Sequence, residues 1–294
     1  MSVAERLGGL PARFVKMSGA GNDFLVFTEA VSVGPRESAA IRRVCNRRTG
    51  VGADGVLFVH GENPGGGPPR IVADYYNADG GASSFCANGT RCAARLAHVK
   101  LHAPAELRVQ TGWGEVGARV RKDGRVTLAL PESVSLARRV RTGVGTGVLR
   151  KEAADVPVGV PHLVVFVEDG VDLATLDLCA LGPPLRHHPD MPEGANANFV
   201  AVKGPSSLDV RTWERGVENE TLSCGSGVVA SAVVASLEAG VSPPVSVATC
   251  SGETLVVEFR LGSGVAKDVK LTGDARLLFE GTLIPSEWSG NGTR

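Results

Sequence analysis

The sequence predicts an α/β chain built as two similar halves, and three observations carry that prediction. The chain has 294 residues, about twice a common domain size of about 150. Short runs rich in β-branched residues alternate with glycine-bearing turns and a few helical stretches. A unit of strand, polar turn, Cys-(Ala/Gly)-x-Gly and small-residue helix occurs once in each half, at Cys86 and at Cys224.

In chain order, strands are expected at VLFV (56–59), RIVADYYN (70–77), LRVQT (107–111), RVTLAL (125–130) and HLVVFVED (162–169). Further strands are expected at ANFVAVK (197–203), SLDVRTWE (207–214), LVVEFR (255–260) and LLFEGTLI (277–284). PGGGPP (64–69) has no strand former and reads as a hairpin loop, and the tail SEWSGNGTR is polar. Two helices begin at cysteines. The first runs from Cys86 to about residue 99, and the second from Cys224 to about Ala239, with Gly240 as its stop signal. The second is apolar almost all round, the pattern of a helix enclosed by sheet.

Composition excludes several function classes. Lys plus Arg and Asp plus Glu are both 31, so no basic excess points to nucleic acid. No apolar run of about 18 residues is present and the N-terminus MSVAERLGGLPARF lacks a signal-peptide core, which predicts a cytoplasmic protein with no membrane partner. The six cysteines are sparse and irregular, and are expected as thiols. Zinc is not expected, because Cys86 and Cys92 are separated by five residues with no matching second pair. Glycine is in excess, 38 residues against a usual share of about 7%, so backbone positions that a ligand must approach closely are worth seeking.

A cysteine at a helix N-terminus is a candidate base or nucleophile, since unpaired N–H groups and the positive end of the helix dipole favour thiolate. The glycines that follow allow a carboxylate to reach the same N–H groups without a lysine or arginine. Two such ends suit removal of a proton beside a carboxylate and its return from the opposite face. Cys45, Cys92, Cys179 and Cys250 lack this context and are expected to be packing residues. His187, His188 and Asp190 are expected to form a turn, since no serine elbow completes a triad.

In the ordered blocks KMSGAGNDFLVF (16–27), RRTGVGADGVLFV (47–59), YNADGGASSFCANGTRCAAR (76–95), PHLVVFVED (161–169), GPPLRHHPDMPEGANANFV (182–200) and WERGVENETLSCGSG (213–227), the chain resembles the diaminopimelate epimerase family, and the resemblance runs over nearly its whole length. Glu214-Arg215-Gly216 separates it from proline racemases, which share the fold. The resemblance implies two pseudo-symmetric domains, each a mixed, mostly antiparallel sheet wrapped around a central helix, with the active site in the cleft between them. The expected domains are residues 1–130 with 276–294, and 131–275. It further implies a cofactor-independent isomerase of lysine and peptidoglycan precursor biosynthesis that interconverts LL- and meso-2,6-diaminopimelate, with no metal and no pyridoxal phosphate.

In that family's pattern Cys86 and Cys224 match the two catalytic bases, one thiolate and one thiol. The backbone of Ala87 and Asn88, with that of Gly225 and Ser226, matches the helix ends that hold the reacting carboxylate. Asn22, Asn77, Asn196, Glu214 and Arg215 match the group that binds the distal end, and His162 matches a histidine near the active site. Two positions depart. Ala87 stands where glycine is common, which would strain the backbone if φ were positive there. Val160 stands where an asparagine is common and supplies no side-chain hydrogen bond. The rival readings are a two-cysteine racemase of another polar amino acid, a noncatalytic binding relative, and a Cys-His hydrolase using His162. An exposed sheet edge would permit a homodimer.

Overall fold

The computed structural model describes residues 8–62 and 70–284, so PGGGPP and the polar tail lie outside the described residues. The chain divides into two compact units, Met1–Val126 with Asp274–Arg294, and Thr127–Gly273. The elements in order are β1 (Arg13–Gly19), β2 (Asn22–Phe27), α1 (Pro35–Cys45), β3 (Gly55–Glu62), β4 (Arg70–Asn77), β5 (Ala82–Ser83), α2 (Ala87–Lys100), β6 (Glu106–Thr111) and β7 (Gly114–Val120). They continue with β8 (Val126–Ala129), β9 (Val134–Ser135), β10 (Arg138–Arg141), β11 (Glu152–Asp155), β12 (His162–Phe166), a 3-10 turn (Leu173–Thr175), α3 (Leu178–Arg186), β13 (Asn196–Gly204) and β14 (Ser207–Glu214). The last are β15 (Asn219–Thr221), α4 (Gly225–Glu238), β16 (Val245–Thr249), β17 (Thr254–Gly262), β18 (Val265–Gly273) and β19 (Arg276–Thr282).

In the first unit β1 pairs antiparallel with β19 and β2. Strand β2 runs parallel to β3, β3 antiparallel to β4, β4 parallel to β6, and β6 antiparallel to β7. The second unit repeats the order: β11 pairs antiparallel with β10 and β12, β12 is parallel to β13, β13 antiparallel to β14, β14 parallel to β16, and β16 antiparallel to β17. Parallel neighbours need a crossover, usually a helix. α1 and α2 make the two crossovers of the first unit, and α3 and α4 those of the second. Each unit is therefore a mixed, mostly antiparallel sheet.

Helix α2 packs against β1, β3, β4, β6 and β7, and α4 against β12, β13, β14 and β17, so each is the central helix of its unit. Residues Gly225–Ala235 of α4 are all buried, which its all-round apolar sequence requires. The outer face of the first sheet packs Phe14, Leu25, Phe27 and Phe58 against Ile41 and Val44 of α1. That of the second packs Leu163, Val165, Phe199 and Trp213 against Leu178 and Leu185 of α3. Each fully buried large apolar side chain contributes about 1.5–3 kcal/mol.

Helices α1 and α3 are additions to the sequence reading, as are β1, β2, β7, β16, β18 and several short strands. Proline obscures both helices. Pro35 occupies the first position of α1, where its missing N–H costs nothing, and Glu37 reaches back to the Gly34 N–H at 2.9 Å. α3 carries Pro183 and Pro184 internally and buries Leu178, Gly182 and Leu185. At Gly182 an added Cβ would lie 2.4 Å from the Trp213 ring, so glycine lets this helix seat directly on the tryptophan.

The cysteine expectations divide. Cys45 and Cys92 are buried, but Cys179 and Cys250 are exposed, correcting their assignment as packing residues. Cys179 lies off the buried i, i+4, i+7 stripe of α3. Cys250 sits in the turn after β16, its Sγ 3.1 Å from Glu220 Oε1. Among the described residues no helix is long and apolar enough to cross a membrane.

Candidate active site

Two polar centres form, one at the N-terminus of each central helix. In the first unit β4 ends at Asn77, turns through Gly80 at φ +81, and returns as the two-residue β5. An added Cβ at Gly80 would fall 2.5 Å from Ser38 O, so the close turn depends on glycine. Cys86 then caps α2 in extended conformation, and its Sγ accepts the Gly89 N–H at 3.4 Å. The first N–H groups of a helix have no intrahelical acceptor. Those of Ala87, Asn88 and Gly89 are clustered beside the half-buried thiol. Ala87 occupies the first helical position and is not among the residues of positive φ, so the strain considered above does not arise.

Asn22 and Asn88 meet directly: Asn88 Nδ2 donates to Asn22 Oδ1 at 2.6 Å, and Asn22 Nδ2 donates to Asp54 Oδ2 at 3.0 Å. Asn77 is tied to the same place, pairing with Gly55 while Ala78 N donates to Asp54 O at 3.0 Å. Behind them Asp23 bonds Arg47 at 2.7 Å and Lys16 at 2.6 Å. Burial by itself would raise the Asp23 carboxyl; hydrogen bonds from Arg47 and Lys16 outweigh it and hold it below the usual carboxylate range.

The second unit builds its centre the same way. β14 ends at Glu214, the chain turns through Gly216 at φ +86, and β15 pairs back before Cys224 caps α4. Cys224 is buried, with Sγ 3.5 Å from Ser226 Oγ, and the first-turn N–H groups belong to Gly225, Ser226 and Gly227. Beneath them lies Asn198, fully buried on β13. Its Nδ2 donates to Leu163 O at 3.1 Å and Asn196 O at 3.2 Å, and lies 3.2 Å from His162 Nδ1. Its Oδ1 accepts the Thr212 hydroxyl at 3.0 Å. An added Cβ at Gly227 would sit 2.1 Å from that oxygen, so only glycine allows the helix end to approach Asn198.

His162 is completely buried, and burial, with the positive charge of Arg215, pushes its pKa down to about 3. The ring is neutral at pH 7. The amide nitrogen of Asn198 lies against Nδ1, and Nε2 has no hydrogen-bond partner among the described residues. Asn196 Oδ1 accepts the Arg215 N–H at 2.7 Å, and Arg215 Nη1 donates to Glu193 O at 3.2 Å. Glu214 precedes this pair at the strand end.

The structure thus gathers Cys86, Ala87, Asn88, Asn22 and Asn77 at the first centre. Cys224, Gly225, Ser226, His162, Asn196, Glu214 and Arg215 belong to the second. His187 and Asp190 lie in the expected turn, where His188 Nε2 bonds Arg141 O at 2.8 Å. Sequence reasoning missed Asp54, Asn198 and Thr212. Asn198 carries one available signal, a polar residue at an inward position of an otherwise apolar strand. Among the described residues no three His, Cys, Asp or Glu side chains cluster to hold a metal.

A family model described as diaminopimelate epimerase matches residues 14–134 and 155–275. The chain is similar to the diaminopimelate epimerase of Aquifex aeolicus (strain VF5), 36% identical over 281 residues that cover 92% of this chain and 97% of the relative. Among solved structures it resembles a Bacillus anthracis phenazine biosynthesis protein of the PhzF family, with TM-score 0.66, 13% identity and coverage of 93% and 99% of the two chains. It also resembles a hydroxyproline epimerase from Agrobacterium vitis with bound trans-4-hydroxy-L-proline, with TM-score 0.62, 15% identity and coverage of 92% of each chain. At such identities the structural likeness is one of fold.

Proposed function

From the membership of this chain in the diaminopimelate epimerase family, and so among the cofactor-independent two-cysteine isomerases, we propose that it interconverts LL- and meso-2,6-diaminopimelate. One of Cys86 and Cys224, as thiolate, takes the α-proton, and the other, as thiol, returns a proton to the opposite face. The observation that carries the reading is the pair of cysteine-capped central helices, each 14 residues long and reached through the same hairpin.

A thiolate is a weak base for a C–H bond, so the anion formed must be stabilised where its charge develops. That charge spreads onto the carboxylate beside the reacting carbon. The first-turn N–H groups of α2 and α4 are fixed donors of the kind that serve it, and one such donor is worth about 2.7–4 kcal/mol when removed from comparable sites. Gly89 and Gly227 stand third in these helices, where a Cβ would point inward at Leu57 and at Asn198 respectively. Reversing the roles of thiol and thiolate runs the reaction the other way.

Substrate choice rests on a second charged end. Asn196 holds the Arg215 backbone, and adjacent Glu214 and Arg215 supply one charge of each sign to read a distal ammonium and carboxylate. The neutral His162 ring is buried within electrostatic reach of Arg215. Val160, in place of an amide side chain, favours a second reading, epimerisation of a different polar amino acid.

Incubation with LL-diaminopimelate in deuterated buffer under reductant tests the proposal. Deuterium is expected at one α-carbon, with loss of exchange in both Cys86→Ala and Cys224→Ala. Absence of exchange in the wild type overturns the substrate, and exchange with another polar amino acid establishes the second reading.

A further inference from the structure

Arg91 stands in the second turn of α2 and is completely buried. Its Nη2 donates to Asn88 Oδ1 at 2.7 Å and its Nε to Asp274 O at 3.1 Å, while Nη1 has no hydrogen-bond partner among the described residues. Among the described residues no carboxylate oxygen bonds this guanidinium. Asp274 Oδ1 instead accepts the Ala20 N–H at 2.7 Å. Burying an arginine without a directly bonded carboxylate is costly. The placement is therefore a poor device for stability alone, and it ends on one side chain, that of Asn88.

From Asn88 the hydrogen bonds run in one direction: Arg91 to Asn88, Asn88 to Asn22, and Asn22 to Asp54. Arginine can only donate and a carboxylate can only accept. With those ends, both amides between them have a single consistent orientation. Turning Asn88 over would set N–H against N–H at Arg91 and carbonyl against carbonyl at Asn22. Turning Asn22 over would set its carbonyl against the Asp54 carboxylate. Beyond the relay Asn22, which is partly exposed, retains one further N–H and one further lone pair.

We propose that Arg91 is a positioning residue that, with Asp54 at the far end, fixes the direction of the Asn88–Asn22 amide relay and so decides that Asn22 offers an N–H to an anionic substrate group. This rests on the reading above that Asn22 contacts the substrate. The backbone bond to Asp274, 183 residues further along the chain, anchors the guanidinium against following Asn88 if that side chain moves.

Either end alone suffices to orient both amides, and that sets the test. Arg91→Gln and Asp54→Asn are each compared with the double variant. In the double variant the KM for LL-diaminopimelate is expected at least tenfold above the product of the two single effects, with kcat changing far less. A merely structural role predicts effects that multiply, and that result overturns the proposal. The second measurement needs neither a variant nor turnover. In wild-type protein, nuclear magnetic resonance should show couplings across the hydrogen bonds from Asn88 Nδ2 to the Asn22 carbonyl carbon and from Asn22 Nδ2 to the Asp54 carboxyl carbon. Their absence, or two sets of side-chain amide signals, overturns the relay even where the double variant does not fold. If the couplings are present and the wild type leaves diaminopimelate unchanged, the relay stands and the substrate reading falls.

Discussion

Gly89 and Gly227 occupy the same place, third in their helices after a capping cysteine, yet alanine should affect them in opposite directions. A Cβ at Gly89 meets the two Leu57 methyl carbons at 3.4 Å, an ordinary contact. Gly89→Ala should therefore keep the helix-propensity gain of about 0.5–1 kcal/mol. A Cβ at Gly227 lies 2.1 Å from Asn198 Oδ1 and 3.1 Å from its Cγ. Asn198 has no room to yield, because its amide is committed to Leu163, Asn196 and Thr212 in the interior. Displacing it leaves at least two buried polar groups unsatisfied at about 1–3 kcal/mol each. After the helix gain, Gly227→Ala should be less stable by about 1–5 kcal/mol, or roughly 2–20 °C in melting temperature. Urea and thermal unfolding of the full chain, followed by circular dichroism, measure both variants against wild type. Equal stability of the two alanine variants would refute the claim that Asn198 is held rigidly beneath α4.

The other predictions concern charge, reactivity and binding. His162 has a folded pKa near 3, depressed from about 6.5, so the unfolded chain binds the extra proton between those values and stability falls as pH drops through that window. The loss by pH 5 is about 2 kcal/mol, and His162→Gln should flatten that part of the pH profile of urea midpoints; an unchanged slope counts against a buried neutral ring. Among the four cysteines outside the proposed catalytic pair, Cys179 should be alkylated first in the native protein, as read by mass spectrometry. Cys250 should be slower, its pKa raised to about 11 by burial and by Glu220, while Cys45, raised to about 12 by burial, and the fully buried Cys92 should be protected. Rapid labelling of Cys92 would contradict the packing of α2. Asn196→Ala removes the acceptor of the Arg215 N–H. It should raise KM about tenfold, as expected for about 1.4 kcal/mol, with a smaller change in kcat; an effect on kcat alone would remove Asn196 from substrate binding.

Much of the fold is legible in the residues because its signals are local. Cys86-Ala-Asn-Gly and Cys224-Gly-Ser-Gly mark helix starts, Gly240 marks a helix stop at φ +66, and the uniformly apolar α4 announces a helix enclosed on all sides. Helices α1 and α3 were obscured where proline and glycine normally break a helix, since only packing on the sheet shows that Pro35 starts one and that Gly182 seats one on Trp213. The exposure of Cys179 was equally hidden, because a cysteine between apolar residues reads the same on either face of a helix whose position is unknown, whereas Cys250, between Thr249 and Ser251, carried a polar-turn signal of its exposure.

At the site, sequence alone determined the chemistry available: two thiols at helix ends, glycines in the first turns that follow them, and a charged Glu214-Arg215 turn. The tertiary structure decided which polar atoms face one another. Asn22 meets Asn88 across 66 residues, Arg91 reaches Asp274 across 183, and Asn198 sits beneath Gly227. The physical reason is range. Helix caps, turns and apolar periodicity arise from neighbours in the chain, whereas the orientation of a buried amide and the room for one methyl group depend on atoms brought together only when distant segments pack.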